Sequence, residues 1–267
     1  MRKLLQFIER DFQMEVAYKT KLASDLFYVI FPVVLYYFLS KMVGDKQSAQ
    51  LSKYHCDYFS FVMVGIAIAN ILQAALQNYT ENIRKFMVEG SLEAMFATPT
   101  PHYVLIVYSS AWPFVYAVLK TLLQFIAASV LFGFGLQNCN AAGTIISLAL
   151  SLILFNSIGV ISASLLIVIK KGDPINWLVI QLSHIFGGIL FPIDLLPGWA
   201  KALSYLFPVR HALESTRYAM LAGHGPPQLL PHLAPLIIFT AALLPLSMLV
   251  STYMVNAARR SGVLSLF

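Results

Sequence analysis

Six stretches of this chain, at about residues 23–41, 58–78, 104–135, 143–169, 175–194 and 233–257, are predominantly apolar and long. A helix of roughly 20 apolar residues crosses the hydrocarbon of a bilayer, which is about 30 Å thick. With 58% hydrophobic and only 11% charged residues in 267, the chain carries more apolar surface than one soluble core can bury. Lipid must therefore be part of its solvent. The sequence predicts an all-α polytopic membrane protein of six transmembrane helices, forming a single domain over residues 1–267. The third stretch is long enough to be tilted or broken.

Before the first span, Leu5, Ile8, Phe12 and Val16 recur at helical spacing, with Arg10, Gln13 and Glu15 elsewhere on the wheel. An amphipathic helix over 1–20, lying in the membrane interface, is expected. Glu9, Arg10 and Asp11 break this stretch and argue against a cleavable signal peptide. Six spans place both termini on one side. With the termini in the cytoplasm, eleven lysines and arginines fall inside and six outside, the distribution expected of membrane proteins. Residues 195–223 are semi-apolar but interrupted by Pro197, Gly198 and Pro208, and they carry Lys201, Arg210, Glu214 and Arg217. These residues read as an outer re-entrant helical hairpin before the last span, with positions 201 and 217 accessible from outside.

Several function classes are excluded. The net charge of +6 is spread over short segments between the spans instead of one face, so no nucleic-acid partner is expected. No Gly-x-x-x-x-Gly-Lys-Ser/Thr loop occurs, and Gly172-Asp173-Pro174 lacks a glycine-rich frame, so the chain has no phosphate cradle of its own. The histidines at 55, 102, 211, 224 and 232 show no ligand spacing, and no metal site is expected. No Ser/His/Asp set is legible. Cys56 and Cys139 both fall at outer ends of spans, and a disulfide would need their Cα atoms within about 7 Å.

Polar side chains inside the spans are costly unless they face protein or water. Asn70, Gln73 and Gln77 share a face of the second span; Lys120 and Gln124 share one of the third; Gln181 and His184 lie three apart in the fifth. They either hydrogen-bond between helices or line a translocation path, and Lys120 is expected to face the bundle interior. Gly65 with Ala69, and Gly159 with Ala163, form small faces that admit close helix contact.

The loop at 79–103 contains a short second helix. Glu89-Gly90 precedes it, Ser91 is expected to cap it, and Leu92, Glu93, Met95 and Phe96 follow before Pro99 and Pro101 end it. The sequence Glu89-Gly90-Ser91-Leu92-Glu93 with Thr98-Pro99 resembles the cytoplasmic coupling segment of the ABC type-2 exporter permeases. Phe191-Pro192-Ile193-Asp194-Leu195-Leu196-Pro197, then Leu206-Phe207-Pro208 and His211-Ala212-Leu213-Glu214-Ser215-Thr216-Arg217, is similar to that family's outer re-entrant helix pair. The two matches stand in the family's order within a six-span layout.

The resemblance implies a permease subunit of an ATP-binding cassette exporter. No cofactor would be bound by this chain; ATP and Mg would sit on a partner ATPase subunit, in whose groove Glu89 to Phe96 would rest, with Leu92, Met95 and Phe96 as the apolar contact. A homodimer, or a dimer with a similar permease, in a bacterial-type inner (plasma) membrane is implied as well. Leu206-Phe207-Pro208 stands where polysaccharide exporters carry Leu-Asn-Pro, which favours a drug-like molecule, lipid or glycolipid as cargo. The alternatives are a polysaccharide-exporting permease of the same family and a membrane-embedded enzyme of lipid chemistry. An enzyme should gather ionisable groups at one depth, and this sequence scatters them.

Overall fold

The computed structural model describes residues 19–43, 51–135, 138–169 and 174–260, and among them every regular element is helical. Most of the expected interface helix at 1–20 lies outside the described residues, as does the segment after 260. Helix α1 spans Lys19–Val43 and α2 spans Tyr58–Val88. A short helix, α3, follows at Leu92–Phe96; then come α4 at His102–Ser109 and α5 at Ala111–Phe132. The chain continues with α6 at Ala141–Ile169, α7 at Pro174–Phe186, α8 at Gly198–Ser204, α9 at Pro208–Met220 and α10 at Pro226–Arg260.

Among the described residues five helices are long and apolar enough to cross a membrane, namely α1, α2, α5, α6 and α10. The third expected span is broken at Ser110, between α4 and α5. The fifth departs from expectation: α7 has only 13 residues, too few to cross by itself. The chain turns after it at Gly187 and Gly188, the latter at φ 69°, a left-handed conformation that favours glycine. A 3-10 turn at Ile193–Leu195 leads on to α8.

The core is organised around α2 and α6. Helix α2 is buried along most of its length, whereas α1, α5 and α10 turn most of their apolar surface outward. Such surface is stable only against lipid or another chain. The small faces work as the sequence predicts. A Cβ added at Gly159 would stand 2.7 Å from the Ala75 carbonyl oxygen, and one at Gly65 only 2.2 Å from that of Ile189. The absent side chains let α6 and the turn after α7 approach the α2 backbone.

Two cores mark the ends of the bundle. At one end, Tyr79, Ile83 and Met87 of α2 pack with Leu105 and Ile106 of α4, Val160 and Ile167 of α6, and Val255 of α10. At the other, α9 inserts between α2, α6 and α10. Nearly all of α9 is buried, although its composition is polar. Position 217 was expected to be accessible, but Arg217 is only 2% exposed. Cys56 and Cys139 pack against the same apolar cluster as free thiols. Burial pushes the Cys56 thiol up to about 12, which keeps it protonated and unreactive.

Candidate functional site

A cavity of about 400 Å³ opens between α1, α2 and α5. Helix periodicity builds it. Asn70, Gln73 and Gln77 recur at i, i+3 and i+7 on α2, and Tyr116, Lys120 and Gln124 at i, i+4 and i+8 on α5, so each set projects from one face. The two faces meet, with Tyr28 of α1 closing the third side. Five of the seven polar residues singled out in the spans thus line one space. Gln181 is exposed on α7 and His184 half-buried there, and neither lines this cavity.

The lining is held by hydrogen bonds between helices. The Asn70 amide donates to Gln124 Oε1 at 3.1 Å, tying α2 to α5. Gln73 Nε2 donates to Gln77 Oε1 at 3.4 Å along α2. Gln124 is 2% exposed, and its Nε2 has no partner among the described residues. Asn82 is anchored further along, donating to the Ser109 carbonyl and Ser110 Oγ at the α4–α5 break.

Lys120 has the partner that an ammonium in a span requires. Its Nζ lies 2.6 Å from Asp25 Oδ1, while the Tyr116 hydroxyl donates to Asp25 Oδ2 at 2.8 Å. The same ammonium sits 4.5 Å from the centre of the Tyr116 ring, a cation–π contact. Side-chain exposures of 26% and 19% keep the pair largely out of lipid. Asp25 was not legible as a partner from its own position, although a carboxylate just inside one span and a lysine inside another is the signal that would have found it. Asn78, Glu81 and Asn82 belong to the cavity as well, because α2 continues unbroken to Val88 through residues expected to be loop.

The second candidate feature is the elbow at the end of α2. Gly90, at φ 66°, lets the Gly90 amide reach the Met87 carbonyl and the Ser91 amide reach the Phe86 carbonyl, ending α2 in a left-handed C-cap. Ser91 makes no cap for α3; its hydroxyl reaches only the Phe86 carbonyl at 3.5 Å. The apolar residues were expected to await a partner. Instead Leu92 and Phe96, at 2% and 1% exposure, are keyed into the core of α2, α4, α6 and α10, with Met95 half-buried beside them. An Arg259 guanidinium from α10 donates to the Phe96 carbonyl, and His102 stands edge-on to the Phe96 ring. Glu89 and Glu93 remain on the surface.

The third feature is the α8–α9 pair. Pro197 and Pro208 stand at the starts of the two helices, where their missing amide protons cost no helical bond. Arg210 joins them, donating to Glu214 Oε1 at 3.3 Å and to the Lys201 carbonyl at 3.2 Å. Arg217 points inward, and its Nη1 donates to the Gly188 carbonyl at 2.9 Å. Its Nη2 donates to those of Ile189 at 3.0 Å and Phe61 at 3.1 Å. The guanidinium lies 3.5 Å from the centre of the Phe61 ring. The carbonyls freed where the chain unwinds after α7 are therefore met by one buried cation.

A broken third span, a capped elbow after the second and a helix pair before the last occur here in one helical bundle. The model of the family described as ABC-2 type transporter matches residues 3–221. The chain belongs to that family. No curated protein matches it. Permeases of the ABC-2 type are integral membrane proteins that work with an ATP-binding cassette subunit and are not themselves the ATPase.

Proposed function

We propose that this ABC-2 permease exports a hydrophobic or amphipathic cargo, taken up through the cavity between α1, α2 and α5 and driven by ATP hydrolysed, with Mg, on a separate subunit. The observation that carries this reading is the convergence of Asn70, Gln73, Gln77, Lys120 and Gln124 on one space within otherwise apolar spans. The cavity runs from mid-span on α2 toward the α3 elbow, the end at which a partner ATPase acts in this family. The permease works as a homodimer or with a similar permease, in a bacterial-type inner (plasma) membrane with both termini in the cytoplasm. In this layout α7 and the turn after it make the fifth crossing, and α8 and α9 form the outer re-entrant hairpin.

The elbow supports a transmission role different from a plug in the ATPase. Leu92 and Phe96 lock α3 onto four of the permease's own helices, so a force on the surface carrying Glu89 and Glu93 moves those helices together. Co-purification with the ATPase in mild detergent is the test. Glu89→Lys with Glu93→Lys should reduce ATPase recovery severalfold, whereas Leu92→Ala with Phe96→Ala should keep most of it while lowering transport per ATP hydrolysed. Recovery of no ATPase by the wild-type permease would overturn the reading.

A further inference from the structure

We propose that the cavity receives a neutral polyhydroxylated head group, such as the sugar of a glycolipid, in preference to a charged one; this rests on the cavity being the cargo path. Its lining contains six carboxamides, those of Asn70, Gln73, Gln77, Asn78, Asn82 and Gln124. A carboxamide offers both donors and an acceptor, which is what a hydroxyl needs, since each hydroxyl both donates and accepts.

The hydrogen bonds within the lining leave this capacity in place. Once Gln124 Oε1 has accepted from Asn70, its buried Nε2 still needs an acceptor. Once Gln73 has donated to Gln77, the Gln73 oxygen and the Gln77 amide protons stay available. Asn82 spends its amide protons on the α4–α5 break and keeps its oxygen. Donors and acceptors therefore alternate along the wall. An ammonium head has nothing to offer Gln124 Nε2, because it accepts no hydrogen bond.

The cavity's charges point the same way. Lys120 is bound to one Asp25 oxygen, and the Tyr116 hydroxyl holds the other. The interior pair is thus neutral, and the remaining carboxylate, Glu81, lies exposed on α2. A phosphate would shed its hydration without meeting an uncompensated cation, and a quaternary ammonium would find a carboxylate only at Glu81, which is exposed to water and screened. Tyr28 and Tyr116 supply apolar ring surface for the C–H face of a sugar. The volume, about 400 Å³, lies in the range of small-molecule sites and fits a head group with its chains left in lipid.

The experiment uses the full-length permease with its ATPase in phosphatidylcholine nanodiscs. Three lipids with the same acyl chains are compared by native mass spectrometry, namely a diglucosyl diacylglycerol, a phosphatidylglycerol and a trimethylammonium diacylglycerol. The diglucosyl lipid should bind about tenfold more tightly than either charged lipid, a difference available to a site built for hydroxyls. Gln124→Leu should lower that affinity about fivefold or more, as should Gln73→Leu, which touches less of the packing; the charged lipids should respond to neither. Tightest binding of a charged lipid, weakened by these substitutions, would overturn the head-group class and leave the cavity as the cargo site. Diglucosyl-lipid binding unchanged in both variants would overturn the class, and persistent ATP-driven transport in them would remove the cavity from the path as well.

Discussion

Arg217→Met is expected to remove most of the folded permease, the largest effect of any single substitution considered. The side chain is 2% exposed and donates to three carbonyls, two of them in the unwound segment after α7. Methionine fills similar space but leaves the buried carbonyls of Gly188 and Ile189, which lie outside any helix, without this donor. A hydrogen bond from a charged donor contributes about 1.5–3 kcal/mol, and several are lost together, so a cost of at least about 3 kcal/mol follows. The unfolding midpoint in detergent should drop by roughly 10 °C. Arg217→Lys should recover less than half of the loss, because a single ammonium cannot reproduce the planar fork that reaches three oxygens. A midpoint for Arg217→Met within about 2 °C of wild type would show that the turn after α7 holds itself.

The second large effect concerns the pair formed by Asp25 and Lys120. Lys120→Met takes the cation of this pair from the Asp25 carboxylate, which keeps the Tyr116 hydroxyl, and Asp25→Asn takes the carboxylate from the Lys120 ammonium, each at a cost of about 3 kcal/mol. The double variant leaves neither charge behind. It should be more stable than either single variant, with a coupling of about 2 kcal/mol or more in the cycle of unfolding midpoints. Additive losses would mean that the two side chains act separately despite their 2.6 Å contact.

How much of this was legible in sequence follows from the physics of each feature. Spans were readable because hydrocarbon length imposes a minimum run of apolar residues, and the cavity lining because amides in such runs are costly and recur at helical spacing. Asn70 and Gln124 were found in this way, yet their hydrogen bond joins positions on different helices and no periodicity encodes it. The same limit hid Asp25 as the partner of Lys120. Helix α7 was read as a full span because Phe186 to Leu190 is apolar enough for hydrocarbon, although Gly187 and Gly188 permit a turn that composition alone does not require. Arg217 was read as accessible from outside because it falls in a segment interrupted by Pro197, Gly198 and Pro208 that carries several charges. Its burial depends on three carbonyls supplied by a turn 28 and 29 residues away and a helix 156 residues away. Leu92 and Phe96 were legible as needing cover, but a sequence does not state whether the cover comes from its own helices or from a partner.

The central claim is that this permease couples ATP hydrolysis on its partner to movement of an amphipathic cargo through the α1–α2–α5 cavity. Its most direct test is transport of a fluorescent diglucosyl lipid in proteoliposomes holding the permease and its ATPase, with ATP supplied only on the side of the α3 elbow. The account predicts lipid movement away from that side that stops without ATP, stops when the ATPase is catalytically disabled, and falls severalfold in Gln124→Leu. Movement at the wild-type rate with a disabled ATPase would contradict it.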